Sequence, residues 1–281
     1  MTSPAGTDAA AAGMMPEFHR PDYSRIFRLD GRVALVVGGG SGIGREGCLA
    51  LAAQGATVVC ADRDLAAAQE TVSCAMGAGG EGPLTAYQLD VLDESAVRRA
   101  ADELAAVDVL VFTAGTNVRK RILDYSGAEF DTVVGLNLRA AFDLVRAFGP
   151  GMAARGRGSI IGLSSMRAIA VEPGQGVYAA TKAGLLQLLR TVAAELGPQG
   201  VRANTLAPGV VATPLTDQIK ADPAWARAYA EKNALGRWAT PDEMAGAIVY
   251  LASDASSYVT GAQLVVDAGW TAIDGRFTPP G

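Results

Sequence analysis

The chain has 281 residues, about half of them hydrophobic, which suffices for one large α/β domain or two small ones with a sizeable core. Its formal net charge of −5 argues against nucleic acid or an anionic membrane as the main partner. No apolar run approaches the roughly 18 residues of a membrane span, and the opening MTSPAGTDAAAAGMMPEFHR lacks the basic start and solid apolar run of a secretion signal.

Residues 1–28 read as a flexible extension, and they contain His19, the one histidine of the chain. A Ser-His-Asp hydrolase or a histidine-based metal site therefore has no histidine to use in the folded part. The cysteines, Cys48, Cys60 and Cys74, are odd in number and show no C-x-x-C spacing. They fit a reduced, cytoplasmic compartment and oppose a disulfide scaffold or a zinc site, so no metal is expected.

From residue 31 short apolar runs alternate with stretches of helical spacing. RVALVV (32–37) predicts a buried strand, and 43–55 a helix ending at a glycine. TVVCAD (57–62) is a second strand, followed by a helix over 64–76. Strands at 84–90 and 108–115 flank a helix at 94–106. A long helix is predicted over 129–153, a strand at 158–165, a helix over 176–197 and a strand at 201–209. A helix at 241–253 and a strand at 262–269 close the pattern. Such alternation implies crossover connections and a parallel sheet of about seven strands covered on both faces. The expected architecture is one Rossmann-like, doubly wound α/β domain over 29–272, with a tail at 273–281. Residues 213–238 form a long insertion of mixed character between strand and helix, and so a candidate lid.

VVGGGSGIGREG leaves the first strand and opens the first helix. Gly38, Gly42 and Gly44, with Ser41 and Ile43 between them, would turn the chain tightly and let a pyrophosphate approach the helix N-terminus. A glycine-rich turn without ligand is the alternative. Asp62 ends the second strand, where its carboxylate can accept from adenosine ribose hydroxyls and repel a 2′-phosphate. No basic residue occupies 39–41 to counter it, which favours NAD over NADP, although Arg63 swung inward could pair a phosphate. Capping of the next helix is a further role for Asp62.

In GVYAATKAG (176–184) Tyr178 and Lys182 stand four apart, on one helical face, among small residues. An ammonium near a phenol favours the phenolate. Moving that phenol from about 10 to about 7 needs roughly 4 kcal/mol. Tyr178 could then exchange a proton with a hydroxyl near neutral pH. A half-buried tyrosine beside a solvated lysine is the plainer alternative.

GGGSGIG, a YAATK motif thirteen residues after Ser165, and APGVVAT occur in an order and spacing that resemble the short-chain dehydrogenase/reductase family, over about residues 29–272. The resemblance implies an oxidoreductase interconverting a secondary alcohol and a ketone with NAD(H) or NADP(H). Tyr178 matches the catalytic acid/base, Lys182 the lysine that lowers its pKa and binds the nicotinamide ribose, and Ser165 the serine bonded to the substrate oxygen. Ser164 is the substitute if the register slips. Asn137 matches the asparagine completing a proton-relay tetrad. Asp90 and Val91 match the pair against the adenine, and Thr113, Ala114 and Gly115 the turn lining the cofactor. Pro208, Gly209, Val211 and Thr213 match the segment holding the carboxamide. Family members are usually dimers or tetramers. Three positions depart from the pattern: Val37 and Thr113 replace a threonine and an asparagine, implying looser ties between turns, and Ala268 stands where glycine is common.

The substrate is less legible. Arg119, Lys120, Arg121 and Arg167 lie where such sheets bind ligands, and could recognise a hydroxyl-rich acid or simply be solvated. GTNVRKRI and DAGWTAIDGR are similar to gluconate and other sugar-acid dehydrogenases, pointing to polyols or sugar acids. A 3-oxoacyl-thioester reductase stays open. Trp225, Tyr229 and Trp238 would instead close over a cyclic ketone, or only pack their helix. A non-catalytic NAD-sensing protein is the reading from another class.

Overall fold

A computed structural model describes residues 20–75 and 81–273. Most of the expected extension, with His19, and nearly all of the expected tail lie outside the described residues. Seven parallel strands form one sheet in the order β3-β2-β1-β4-β5-β6-β7. They are β1 (Val33–Val37), β2 (Thr57–Asp62), β3 (Leu84–Gln88), β4 (Val109–Phe112), β5 (Gly158–Leu163), β6 (Val201–Pro208) and β7 (Gln263–Val266). The chain winds outward from β1 to β3, then returns to place β4 on the other side of β1. That reversal opens a crevice at the carboxyl edge between β1 and β4, the place where open α/β sheets take ligands.

The central strands are apolar throughout because helices cover both faces. All four residues of β4, VLVF, are buried. One apolar layer joins Leu35, Leu110 and Leu144, and the opposite layer joins Val36, Val111 and Leu251. The alternation of side chains along each strand feeds the two layers in turn.

The helices are α1 (Gly42–Ala53), α2 (Leu65–Ala75), α3 (Glu94–Glu103), α4 (Gly127–Val134), α5 (Ala140–Ala154), α6 (Gly176–Leu196), α7 (Asp217–Lys220), α8 (Pro223–Glu231) and α9 (Ala245–Ala252). The single long helix expected over 129–153 is interrupted. A π-helical turn, Gly135–Arg139, joins α4 to α5. Such a turn admits one extra residue per turn and re-aims the side chains within it. β4 is also shorter than the expected 108–115, because the chain leaves the sheet at Thr113 to line the crevice.

Register brings the turns together. Val37 pairs with Phe112, and Phe112 with Gly162, so β1, β4 and β5 end level. The insertion between β6 and α9 is pinned at both ends: Val211 bridges Ala239, and Ala212 N–H donates to the Ala239 carbonyl at 2.9 Å. Its helices carry their own small core of Ile219 and Tyr229 packed with Met166, Val210 and Trp270.

Candidate active site

The turn after β1 is built by backbone geometry that side chains would block. Gly38 has φ +82°, and its N–H donates to Ala61 O at 2.8 Å. A Cβ on Gly44 would fall 2.0 Å from the Gly38 carbonyl oxygen, so α1 can start this close only with glycine there. Ser41 precedes the helix in extended conformation and makes no capping bond, while Ile43 is buried beneath the turn. The first N–H groups of α1 are thus left to an external acceptor, which fits the pyrophosphate of a dinucleotide. Thr213 lies against the same helix start, its Cγ2 3.2 Å from where a Cβ of Gly42 would be.

Asp62 ends β2 facing this turn. Its Oδ2 accepts from Gly40 N–H at 3.0 Å and its Oδ1 from Asp64 N–H at 3.1 Å. Arg63 is exposed, and with Leu65, Gln88 and Asp90 it lines an open cavity of about 650 Å³. Val91 is buried next to Asp90, whose Oδ1 accepts from Leu92 N–H at 2.9 Å. Across the crevice, Thr113, Ala114 and Gly115 are half-buried, and Pro208 and Gly209 end β6, with Gly209 N–H donating to Val266 O at 2.9 Å. Val211 is buried at the root of the insertion. The expected loosening at Val37 and Thr113 does not occur. The Thr113 hydroxyl ties the two turns by donating to the carbonyls of Val37 at 2.9 Å and Gly38 at 3.1 Å. Ala268 adopts φ +54°, a left-handed conformation that strains a residue carrying a Cβ.

Tyr178, Lys182, Ser165 and Asn137 are all buried within one region. Lys182 Nζ donates to Leu163 O at 2.8 Å and sits 5.5 Å from the Tyr178 ring centroid. Ser165 follows β5, and its hydroxyl accepts from Arg167 N–H at 3.1 Å, close enough to the Tyr178 phenol to favour its ionised form. Ser164 is turned away, donating to the Lys182 carbonyl at 3.0 Å. The π turn delivers Asn137 to the crevice wall. Its Oδ1 accepts from Thr116 N–H at 2.8 Å, and its Nδ2 donates to Thr116 O at 2.9 Å and Thr181 Oγ1 at 3.1 Å.

The electrostatics differ from the sequence expectation. Burial pushes the Tyr178 phenol up, not down, against smaller downward pulls from Ser165, Arg119 and Arg167. Burial also lowers the Lys182 ammonium to about 8. Lys182 lies over the ring and bonds a carbonyl, so desolvation outweighs attraction in the protein by itself.

On the substrate side, Lys120 pairs with Glu129, and Arg121 with Asp124 at 2.7 Å, as solvated rim pairs. Arg167 is buried and pairs with Glu172. Tyr229 is packed against Trp270 and Trp238, with ring centroids 5.4 and 6.1 Å away, and its hydroxyl donates to Glu172 at 2.7 Å. Trp225 meets the Tyr229 ring edge at 6.2 Å. These aromatics hold the insertion together, as the packing alternative had it. Sequence reasoning missed Glu172, Gln175 and Asn117, which bond one another across 58 positions of chain. The one available signal was Gln175, three residues before Tyr178 on the same helix start. Among the described residues, no three His, Cys, Asp or Glu side chains converge to hold a metal, and no helix is long and apolar enough to cross a membrane.

A family model described as enoyl-(acyl carrier protein) reductase matches residues 38–271. Galactitol 2-dehydrogenase (L-tagatose-forming) from Cereibacter sphaeroides is 42% identical over 252 residues, spanning 89% of this chain and 99% of the relative. A (3R)-3-hydroxyacyl-CoA dehydrogenase from Canis lupus familiaris is 38% identical over 257 residues, spanning 86% and 97%. Among solved structures, a putative NAD(P)-dependent gluconate 5-dehydrogenase from Beutenbergia cavernae, with bound NADP at low occupancy, superposes with a TM-score of 0.84. It is 39% identical, covering 88% of this chain and all of that one.

Proposed function

This chain belongs to the short-chain dehydrogenase/reductase family and acts on CH–OH groups with NAD or NADP; we propose that its substrate is a polyol or sugar acid and its cofactor NAD. The observation that carries the reading is the burial of Tyr178, Ser165 and Lys182 together at the carboxyl edge of the sheet, beside the glycine turn. The galactitol dehydrogenase relative and the gluconate dehydrogenase likeness support the substrate class. A 3-oxoacyl thioester fits the hydroxyacyl-CoA relative and no better.

Tyr178 takes the proton of the substrate hydroxyl in oxidation and returns it in reduction. Ser165 accepts from Arg167 N–H, so its own O–H is free to donate to the same substrate oxygen. Two donors aimed at one oxygen stabilise the developing alkoxide without a metal. Lys182 supplies the cation that favours phenolate. Asn137 clamps both backbone groups of Thr116, and through them holds the 113–116 segment beside Lys182. The glycine turn, Asp62 and the 113–115 and 208–213 segments would hold the nucleotide, which supplies hydride transfer when bound. Asp62 is the basis for NAD: its carboxylate faces the turn with no basic side chain at 39–41. The NADP in the Beutenbergia structure belongs to that protein.

We extend the reading to a lid over 213–238 and to a cytoplasmic homo-oligomer, a dimer or tetramer. Free thiols at Cys48, Cys60 and Cys74 suit a reducing compartment, and half-exposed Phe130 and Phe142 on α4 and α5 suit a subunit contact. The test is Tyr178→Phe, assayed with NAD on galactitol and gluconate. Turnover should fall about 10²- to 10⁴-fold while NADH still binds. Undiminished turnover would leave Tyr178 without its role and revive the nucleotide-sensing alternative.

A further inference from the structure

Arg167 stands two residues after Ser165, and three separate stretches of chain hold its side chain. The guanidinium is buried and pairs with Glu172, farther along the same loop after β5. It lies over the rings of Tyr229, 5.8 Å from the centroid, and Trp270, 5.2 Å away. Tyr229 belongs to α8 in the insertion, and Trp270 follows β7. The arginine Nη2 also reaches the Tyr229 hydroxyl at 3.3 Å. A cation caged in this way depends on its counter-charge, because a buried guanidinium without a carboxylate is strongly unfavourable.

One carboxylate therefore decides the cage. Besides pairing with Arg167, Glu172 accepts from the Tyr229 hydroxyl at 2.7 Å and from Gln175 Nε2 at 2.5 Å. The three donors come from three elements: the turn behind Ser165, the insertion, and the start of α6. The consequence for the chemistry runs through the backbone. Arg167 N–H donates to Ser165 Oγ at 3.1 Å, and Ser165 caps the short turn Met166–Ala168. That bond occupies one lone pair of the hydroxyl and leaves its O–H to donate elsewhere. The Arg167 main chain is held in place by its own buried side chain. A guanidinium released to water would draw this turn outward and untie Ser165.

We propose that Glu172 is a positioning residue for the dehydrogenase reaction: through Arg167 it fixes the Ser165 hydroxyl, and through Tyr229 it makes that alignment depend on the seating of the insertion. Glu172 and Tyr229 act on the alkoxide donor at one remove. This inference rests on the dehydrogenase reading above and deepens it, giving the insertion a part in aligning the site as well as in covering it.

The test is a pair of double-mutant cycles. Glu172→Gln and Tyr229→Phe are each made in wild type and in Ser165→Ala, and kcat and KM are measured on galactitol, D-gluconate and cyclopentanol with NAD and NADP. NADH affinity, which should hold throughout, checks that each variant is folded. Tyr229→Phe keeps the ring packed against Trp270 and Trp238 and removes only the hydroxyl contacts. It decides the question alone if Glu172→Gln, which strands Arg167, does not fold. In the wild-type background Glu172→Gln should lower kcat about 10- to 100-fold, as a misplaced catalytic group does. Tyr229→Phe should lower it about 3- to 10-fold, the range for one lost hydrogen bond. In the Ser165→Ala background both losses should shrink below about twofold, because the donor being positioned is gone. Losses of equal size in the two backgrounds would mean that the cage serves only the fold, and would overturn the inference. An undiminished kcat in the folded variants overturns it as well. Either result leaves the dehydrogenase reading standing, whereas a wild type without turnover on all three substrates with either nucleotide overturns both.

Discussion

Replacing Lys182 with Met should stabilise the nucleotide-free protein while abolishing its chemistry. Burial lowers the ammonium from its ordinary 10.5 to about 8, and the side chain is 2% exposed. The drop of about 2.5 units corresponds to roughly 3.4 kcal/mol of destabilisation at 1.36 kcal/mol per unit. The sign follows from proton binding. Between pH 8 and 10.5 the unfolded state holds more protons than the folded one, so stability rises with pH across that window. Below pH 8 both states are protonated and the full penalty is present. Met removes the charge but also orphans the Leu163 carbonyl, which accepts from Nζ at 2.8 Å, at a cost of about 1–2 kcal/mol. The net gain should be about 2 kcal/mol at pH 7. At pH 9.5 the remaining penalty is only about 1.4 kcal/mol, so the advantage of the variant should vanish there. Urea unfolding of both proteins at the two pH values, at one protein concentration, measures the difference. A variant less stable than wild type at pH 7, or a difference indifferent to pH, would refute the claim that this ammonium is held at a desolvation cost.

Three further outcomes follow from the same geometry. Asp62→Asn keeps an acceptor for Gly40 N–H but removes the charge; for a doubly charged phosphate about 6 Å away at an effective dielectric near 40, the relief is about 2–3 kcal/mol. Fluorescence titration should then show the NADPH-to-NADH affinity ratio rising roughly 30- to 100-fold, and a ratio moved less than threefold would remove Asp62 as the discriminator. Ala268→Gly relieves a left-handed residue at φ +54°, a strain of about 1–2 kcal/mol set against about 0.4–1 kcal/mol of added chain entropy. A melting temperature raised by about 1–3 °C is expected, and a lowered one contradicts the strain. Ser165→Ala should lower kcat about 10²-fold by removing one donor to the alkoxide, whereas Ser164→Ala, which loses bonds to the Lys182 carbonyl and to Gln263 Nε2, should act mainly through stability.

The alternation of apolar runs and helical spacing made the sheet legible, because a strand such as VLVF has no polar face to offer water. The glycine turn was legible for the same reason: Gly44 is required by backbone contact, a constraint written in one residue. The π turn was not. Nothing in GLNLR breaks a helix, and the extra residue is decided by tertiary packing around Asn137. The tie between turns was misread because a threonine at 113 can supply from one strand the bond expected from the other. The relay of Glu172, Gln175 and Asn117 joins loops after β4 and β5, and the place of Gln175 three residues before Tyr178 is its one trace along the chain.

The direction of the Tyr178 shift shows where sequence reasoning stops. Spacing of four places an ammonium near a phenol, and proximity alone favours phenolate. The same small neighbours that bare the pair also let the helix pack tightly, so both groups lose water. Tyr178 then rises and Lys182 falls, each toward its neutral form. Lys182 has no carboxylate partner among the described residues, and neither has Arg119, so the pocket holds two uncompensated cations inside a chain of net charge −5. That local excess opposes the charge of the whole protein. It favours anions in the crevice, and it sets a cation costly to bury beside the phenol to which the proposed reaction assigns the proton.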